Sequence, residues 1–402
     1  MSTEKFVVVG ASLTGAKAVE AMRSAGFDGE VTLIGEEVVR PYERPPLSKG
    51  YLRGEEGLDK VYVHDEGFYA ENDIDLRTGT VATAIHPDTS TVELQDGSIV
   101  PFDKLLLATG AAPRRLDAEG SDLDGIRYLR SLQDSEGLQA AIQAASRVVV
   151  VGAGWIGSEV AASARQMGRD VAVVEMAAVP LAGVLGPEMG EYFARLHRDH
   201  GVDLHLNTGV EGFVGDGAVE GIRTADGSVI EGDLVVVGVG VVPRVGLAEA
   251  AGLKIDNGVV VDEHLESSIP GIYAAGDVAN ALHPLYGRHL RVEHWSNARN
   301  QGAAAGQSMA EGGVTYDRIP YFFSDQYEMG MEYSGFATDW DEVVVRGGGD
   351  EFIAFWLKDG KVLAGMNVNV WDVAEAIQDL ARSRKPVDRD RLADPTVPLD
   401  DL

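Results

Sequence analysis

Val148-Val149-Val150-Val151-Gly152-Ala153-Gly154-Trp155-Ile156-Gly157 is the stretch on which the fold turns. A run of β-branched residues reads as a strand buried on both faces, and the glycines after it read as a tight turn opening a helix. A helix from about Trp155 to Met167, stopped by Gly168, and a strand from Val171 to Glu175 complete a βαβ unit. The same grammar occurs earlier, in Phe6-Val7-Val8-Val9-Gly10-Ala11-Ser12-Leu13-Thr14-Gly15. A helix from Leu13 to Ala25, then Gly26 and a strand from Val31 to Ile34, follow it. One glycine-rich turn is weak evidence. Two turns predict two dinucleotide sites, because each has a strand before it, a helix after it and a carboxylate, Glu36 or Glu175, ending the next strand.

Each position has a physical reason. Gly10 and Gly152 make the tight turn, while Gly15 and Gly157 let helix and strand pack closely. Gly154 lets the backbone approach a pyrophosphate, and Ser12, a small side chain, holds that place in the first turn. The helix N-termini offer free N–H groups and partial positive charge. Glu36 and Glu175 can accept hydrogen bonds from a ribose diol. A 2′-phosphate would be repelled by Glu175, and Met176-Ala177-Ala178-Val179 supplies no arginine to hold one, so NADH is expected over NADPH.

Further strands are expected at Leu105 to Leu107, Leu234 to Val239 and Ile272 to Ala275. From about Arg318 the pattern changes to strands at Glu342 to Arg346, Phe352 to Leu357 and Lys361 to Met366, with a helix near Asp372 to Ala381. The predicted fold class is α/β, with two Rossmann-like dinucleotide-binding domains and a C-terminal α+β domain. The predicted boundaries are residues 1–114 and 240–317 for the first nucleotide domain, 115–239 for the second and 318–402 for the last. The proline- and aspartate-rich tail from Lys385 is expected to fray.

A chain of 402 residues fits two or three domains. No run reaches the roughly 18 apolar residues of a membrane span, and Met1-Ser2-Thr3-Glu4-Lys5 leads straight into a strand, so a cytoplasmic protein is expected. The net charge of −30 argues against nucleic acid and anionic membranes as partners. With no cysteine there is no redox disulfide, thiolate metal site or iron–sulfur cluster of the chain's own. His197 and His200, with His205 beyond, lack the glutamate and third ligand of a zinc protease; they read as surface histidines, and no metal is expected.

Several longer stretches resemble one family. Arg40-Pro41-Tyr42-Glu43-Arg44-Pro45-Pro46-Leu47-Ser48-Lys49 resembles the flavin-contacting loop of the FAD-dependent NADH:ferredoxin reductases. That family serves ring-hydroxylating dioxygenases and bacterial haem-thiolate monooxygenases, and includes rubredoxin reductases and flavoproteins like apoptosis-inducing factor. Val292-Glu293-His294-Trp295-Ser296-Asn297-Ala298 and Phe323-Ser324-Asp325-Gln326-Tyr327 resemble its later motifs. Leu106-Leu107-Ala108-Thr109-Gly110 is similar to the strand leading out of the flavin domain, and Ile272-Tyr273-Ala274-Ala275-Gly276-Asp277 to the segment whose aspartate binds the ribityl chain of FAD.

The resemblance, which covers nearly the whole chain, implies a glutathione-reductase-like arrangement of FAD and NADH domains. It implies Lys49 near flavin N5, Arg44 and Pro45 lining FAD, and Glu159 facing the nicotinamide and pairing with Lys49. Trp295 would flank the isoalloxazine on the side where nicotinamide approaches. NADH would pass a hydride to flavin N5, and single electrons would go on to a 2Fe–2S ferredoxin that feeds an oxygenase. A rubredoxin as acceptor, or an NADH-switched binding protein, are the alternatives it leaves open. Arg244, Arg288, Arg291 and Arg299 are expected to form a local positive patch for the ferredoxin. Two departures stand out: Gly183 where many relatives carry arginine, and Val242-Pro243-Arg244 in place of a proline–asparagine pair.

Overall fold

A computed structural model describes residues 3–402. The chain divides by packing into two compact units, each assembled from three segments. The first comprises Met1–Glu43, Asp59–Ala112 and Val242–Pro320, and the second Arg44–Leu58, Pro113–Val241 and Tyr321–Leu402.

The first unit is built on a five-stranded parallel sheet in the order Ile272–Ala274, Lys104–Leu107, Lys5–Val9, Glu30–Ile34, Ile74–Arg77. Phe6, Val7, Val8, Leu105 and Leu106 are almost wholly buried, which is why the strand reads as a continuous apolar run. Helix Leu13–Ser24 crosses the sheet and packs on helix Trp295–Glu311. That contact is unusually close. A methyl group on Gly302 would stand 2.3 Å from the Thr14 carbonyl oxygen, and one on Gly306 2.2 Å from that of Ala18. The spacing Gly302-Ala303-Ala304-Ala305-Gly306 carries this contact in the sequence, one helical turn per glycine.

The second unit repeats the design. Its parallel sheet runs Asp203–His205, Asp170–Val174, Arg147–Val151, Leu234–Val237, Ile126–Arg127. In both units the strand before the glycine turn sits centrally, with the next strand on one side and a much later one on the other. Strand order reverses there, which is where open α/β sheets bind ligands. The repeat extends to an antiparallel insertion before the later strand: Ala82–His86, Thr91–Leu94 and Ile99–Pro101 in the first unit, Val210–Asp216, Ala218–Thr224 and Val229–Glu231 in the second.

The C-terminal residues form an antiparallel sheet in the order Tyr321–Gln326, Met329–Gly335, Lys361–Val368, Glu351–Lys358, Glu342–Gly348, with helix Ala374–Ser383 against it. This sheet shares an apolar core with helix Ala182–Asp199: Leu185, Met189 and Phe193 pack with Phe322, Met331 and Trp356. The Trp356 indole N–H donates to the Leu185 carbonyl at 3.1 Å. That helix kinks at Gly186 (φ 76°, ψ −178°), ahead of Pro187.

Two sequence expectations are corrected here. The tail does not fray. Arg346 is buried, and its guanidinium donates to the carbonyls of Leu392 (3.4 Å), Pro395 (3.3 Å) and Val397 (2.5 Å), while Asp388 caps a short helix Arg389–Ala393 and Leu392 is fully buried. A buried cation needs acceptors, and the tail's carbonyls provide them. Nor is His197 a surface residue. It is 1% exposed, with Nδ1 3.2 Å from the Tyr327 hydroxyl, and burial, aided by neighbouring His200 and opposed by Gln326, pushes its pKa down to about 4. Among the described residues no three His, Cys, Asp or Glu cluster as metal ligands, and no helix is long and apolar enough to cross a membrane.

A histidine held neutral when folded costs stability in acid. The unfolded imidazole takes up a proton below its ordinary value of 6.5, the folded one only near 4, so stability falls as pH drops through that window. His197→Gln is expected to remove about 2 kcal/mol of the loss between pH 7 and pH 4.5, read as the difference in urea midpoints.

Candidate functional site

The first glycine turn is fixed by contacts that admit no side chain. Gly10 has φ 120°, its N–H donates to the Ile34 carbonyl at 2.8 Å, and a methyl group on it would lie 2.1 Å from the Ala108 carbonyl oxygen. A methyl on Gly15 would lie 2.1 Å from the Gly10 carbonyl oxygen. Ser12 caps the helix with extended backbone, φ −114° and ψ −161°. In the same unit, Arg244, one of the departures in the sequence, is held by three contacts. Its guanidinium pairs with Glu36, its backbone N–H donates to the Gly110 carbonyl at 2.9 Å, and its carbonyl accepts from the Thr109 hydroxyl at 2.8 Å. Arg244 therefore pairs with the strand-end carboxylate while its side chain remains exposed. Arg291 is also engaged, pairing with Glu293 and donating to the Asp277 carbonyl at 3.3 Å. Of the four arginines expected in a local positive patch, Arg244, Arg288 and Arg299 are exposed and Arg291 is half-buried, and Arg299 lies 5.4 Å from the Trp295 ring centroid.

Asp277 is buried and follows Gly276, whose φ of 77° and N–H to the Gln301 side-chain oxygen (2.9 Å) fix the chain there. Gln301 and Trp295 lie on the helix Trp295–Glu311, so one helix supports both. Gln301 carries no motif signal of its own.

In the second unit the close contacts recur. Gly152 has φ 98° and a methyl on Gly157 would sit 2.0 Å from the Gly152 carbonyl oxygen. Gly154 differs. Its φ is an ordinary −75°, and a methyl there would meet nothing within 4 Å. The protein fold alone does not demand glycine at 154, whereas a phosphate lying against the backbone does. Glu175 is oriented by two backbone donors, Ala153 N–H to Oε2 at 2.7 Å and Ala177 N–H to Oε1 at 2.8 Å. Its fixed carboxylate keeps lone pairs for a diol and repels a phosphate. These groups fit a pyrophosphate-bearing nucleotide without a 2′-phosphate. Gly183 falls in the first turn of helix Ala182–Asp199 with open space around it.

The Arg44–Leu58 segment packs with this second unit. Pro45–Ser48 forms a 3₁₀ turn, and Arg44 donates to the Arg130 carbonyl. Two helices hold the segment from residues one turn apart. Ser135 donates to the Leu47 carbonyl (2.8 Å) and Gln139 to that of Leu52 (2.9 Å), while Ser163 donates to that of Ser48 (2.7 Å). One turn before Ser163, Glu159 is 4% exposed and forms an ion pair with Lys49, Nζ to Oε1 at 2.9 Å. Ser48 Oγ donates to Oε2 at 2.5 Å and Ser324 Oγ to Oε1 at 2.7 Å. Lys49 Nζ also lies 3.5 Å from the Pro45 carbonyl and 5.3 Å from the Phe323 ring centroid. Next along that strand, burial raises the Asp325 carboxyl above its ordinary value, opposed by the Lys49 charge and reinforced by that of Glu159.

The structure thus brings Lys49 and Glu159 together and adds Ser48 and Ser324, which lay inside quoted motifs without an assigned role. The glycines separate two kinds of constraint. Gly157→Ala is expected to lower stability by roughly 1–3 kcal/mol through overpacking. Gly154→Ala should leave the thermal midpoint near wild type while weakening NADH at least about tenfold, measured by calorimetry.

The comparisons agree with this architecture. Residues 4–302 match the model described as pyridine nucleotide-disulphide oxidoreductase, and residues 321–402 match one described as reductase C-terminal. Putidaredoxin reductase CamA of Pseudomonas putida is 36% identical over 100% of this chain and 97% of its own. The anthranilate 1,2-dioxygenase system ferredoxin–NAD(+) reductase component of Burkholderia cepacia is 38% identical over 99% of each chain. A reductase chain in the crystal structure of the covalent putidaredoxin reductase–putidaredoxin complex superposes with a TM-score of 0.96, at 36% identity, over 100% of this chain and 98% of that one. On these grounds, the chain belongs to the pyridine nucleotide-disulphide oxidoreductase family.

Proposed function

We propose that this chain is an FAD-dependent NADH:ferredoxin oxidoreductase acting in the cytoplasm, with a 2Fe–2S ferredoxin as transient partner and an oxygenase downstream. The observation that carries the reading is two nucleotide turns in a chain without cysteine. Electrons brought by one nucleotide can pass to a second cofactor, and no disulfide of the protein's own can take them onward. Relatives named as reductases of putidaredoxin and of a dioxygenase-system ferredoxin support that class of acceptor. Bound FAD would supply the missing chemistry, accepting a hydride as a pair of electrons and releasing electrons singly.

The chain's own residues bind and orient. In this reading residues 1–114 and 240–317 hold FAD, with Gly10, Ser12 and Gly15 against its pyrophosphate, Glu36 at a ribose, and Thr109, Gly110, Asp277 and Trp295 along the rest. Residues 115–239 hold NADH through Gly152, Gly154, Gly157 and Glu175, and residues 318–402 complete the protein. Arg44 and Pro45 line the flavin. Lys49, held by Glu159, would offer a positive charge to a bound flavin, and Glu159 would keep that ammonium in place. No side chain needs to act as a nucleophile.

The purified protein is expected to be yellow, to bleach on anaerobic addition of NADH, and to prefer NADH over NADPH at least about tenfold in kcat/KM, given Glu175. Cytochrome c reduction should require an added 2Fe–2S ferredoxin. A colourless protein that FAD does not reconstitute would overturn the reading, and a long-lived reduced complex with negligible turnover would point to a nucleotide-driven switch instead.

A further inference from the structure

The polar cluster around Glu159 extends beyond an ion pair. Three donors converge on the carboxylate from two other parts of the chain, Ser48 and Lys49 from the Pro45–Ser48 turn and its following residue, and Ser324 from the first strand of the C-terminal sheet. Ser48 is 1% exposed and Ser324 fully buried. Neither hydroxyl turns only to local backbone, as small buried serines commonly do. Ser48 Oγ has only a marginal 3.5 Å approach to the Pro45 carbonyl against 2.5 Å to Glu159.

We propose that Ser324 and Ser48 are positioning residues for the Lys49–Glu159 pair, Ser324 reaching it from the C-terminal sheet. This rests on the reading of that pair as the charges beside flavin and nicotinamide. The terminal torsion of a glutamate is broad and two-fold, so a lone carboxylate can swing about it. Here the two hydroxyls take opposite oxygens, Ser48 on Oε2 and Ser324 on Oε1, and the swing is blocked. Oε1 is then presented to Lys49 at a set angle, and the ammonium is held between Glu159, the Pro45 carbonyl and the Phe323 ring. Both serines are fixed in turn. The Ser48 carbonyl accepts from Ser163 at 2.7 Å, and Ser324 Oγ accepts from Gln326 Nε2 at 3.3 Å. The C-terminal sheet thereby contributes a group to the nucleotide chemistry as well as a core.

The test uses FAD-loaded holoenzyme carrying S324A, S324T or S48A, with E159Q and K49M as references. Anaerobic stopped-flow gives the limiting rate of flavin bleaching by NADH and by its deuterated form, calorimetry gives the affinity for NAD⁺, and visible circular dichroism of the flavin reports the charge beside its ring. S324A is expected to slow bleaching about tenfold, with NAD⁺ affinity changed less than about threefold and the dichroic band displaced as in E159Q. S324T, which keeps the hydroxyl, should recover most of the rate. Wild-type bleaching and dichroism in S324A, with only a lower melting temperature, would reduce the serine to a structural donor and overturn the proposal. If S324A does not accumulate folded, S48A is judged by the same criteria. Should E159Q and K49M themselves bleach at the wild-type rate, the reading of the ion pair fails, and the proposal with it.

Discussion

Burying a carboxylate until 4% of its surface is exposed costs free energy unless donors replace the water it has lost. Glu159 meets that constraint with an ammonium and two hydroxyls, and much of the second unit is arranged to deliver them. The helix that begins at the glycine turn carries Glu159 on the same face as Ser163, so the residue that receives Lys49 and the one that holds the Ser48 carbonyl are set by one helical repeat. Remove the donors and a charge is stranded in an apolar surround. Retain them, and a turn, a helix and a sheet distant in sequence are tied at one point.

The first unit solves a related problem with backbone. Its helices approach so closely at Gly302 and Gly306 that carbonyl oxygens occupy the space a side chain would need. Glu36, at the end of its second strand, is neutralised by Arg244, which is itself tied to Thr109 and Gly110. An arginine that departs from the family pattern thus has a local electrostatic task.

Much of this was legible in the residues. The buried parallel strands announce themselves as runs such as Val148 to Val151, because burial on both faces removes the alternation that would mark a half-exposed strand. The glycine turns announce their sites because steric exclusion at Gly10, Gly15, Gly152 and Gly157 leaves no other residue possible. What stayed hidden depended on tertiary proximity. Ser324 and Glu159 are 165 positions apart, and a serine's composition says nothing of what it donates to. His197 reads as exposed because its covering partner, Tyr327, lies 130 positions away, and the tail reads as loose because its anchor, Arg346, lies on a strand elsewhere.

The interleaving of the two units carries a consequence for biosynthesis. Neither can close on the ribosome in order of emergence: the first awaits Val242–Pro320, and the second awaits Tyr321–Leu402. Contacts spanning such sequence distances are slow to form, because loop-closure entropy is lost before they are made. The apolar face of helix Ala182–Asp199 is therefore without its covering sheet until Tyr321–Val368 has emerged, which makes the nascent chain a natural client for chaperones in that interval.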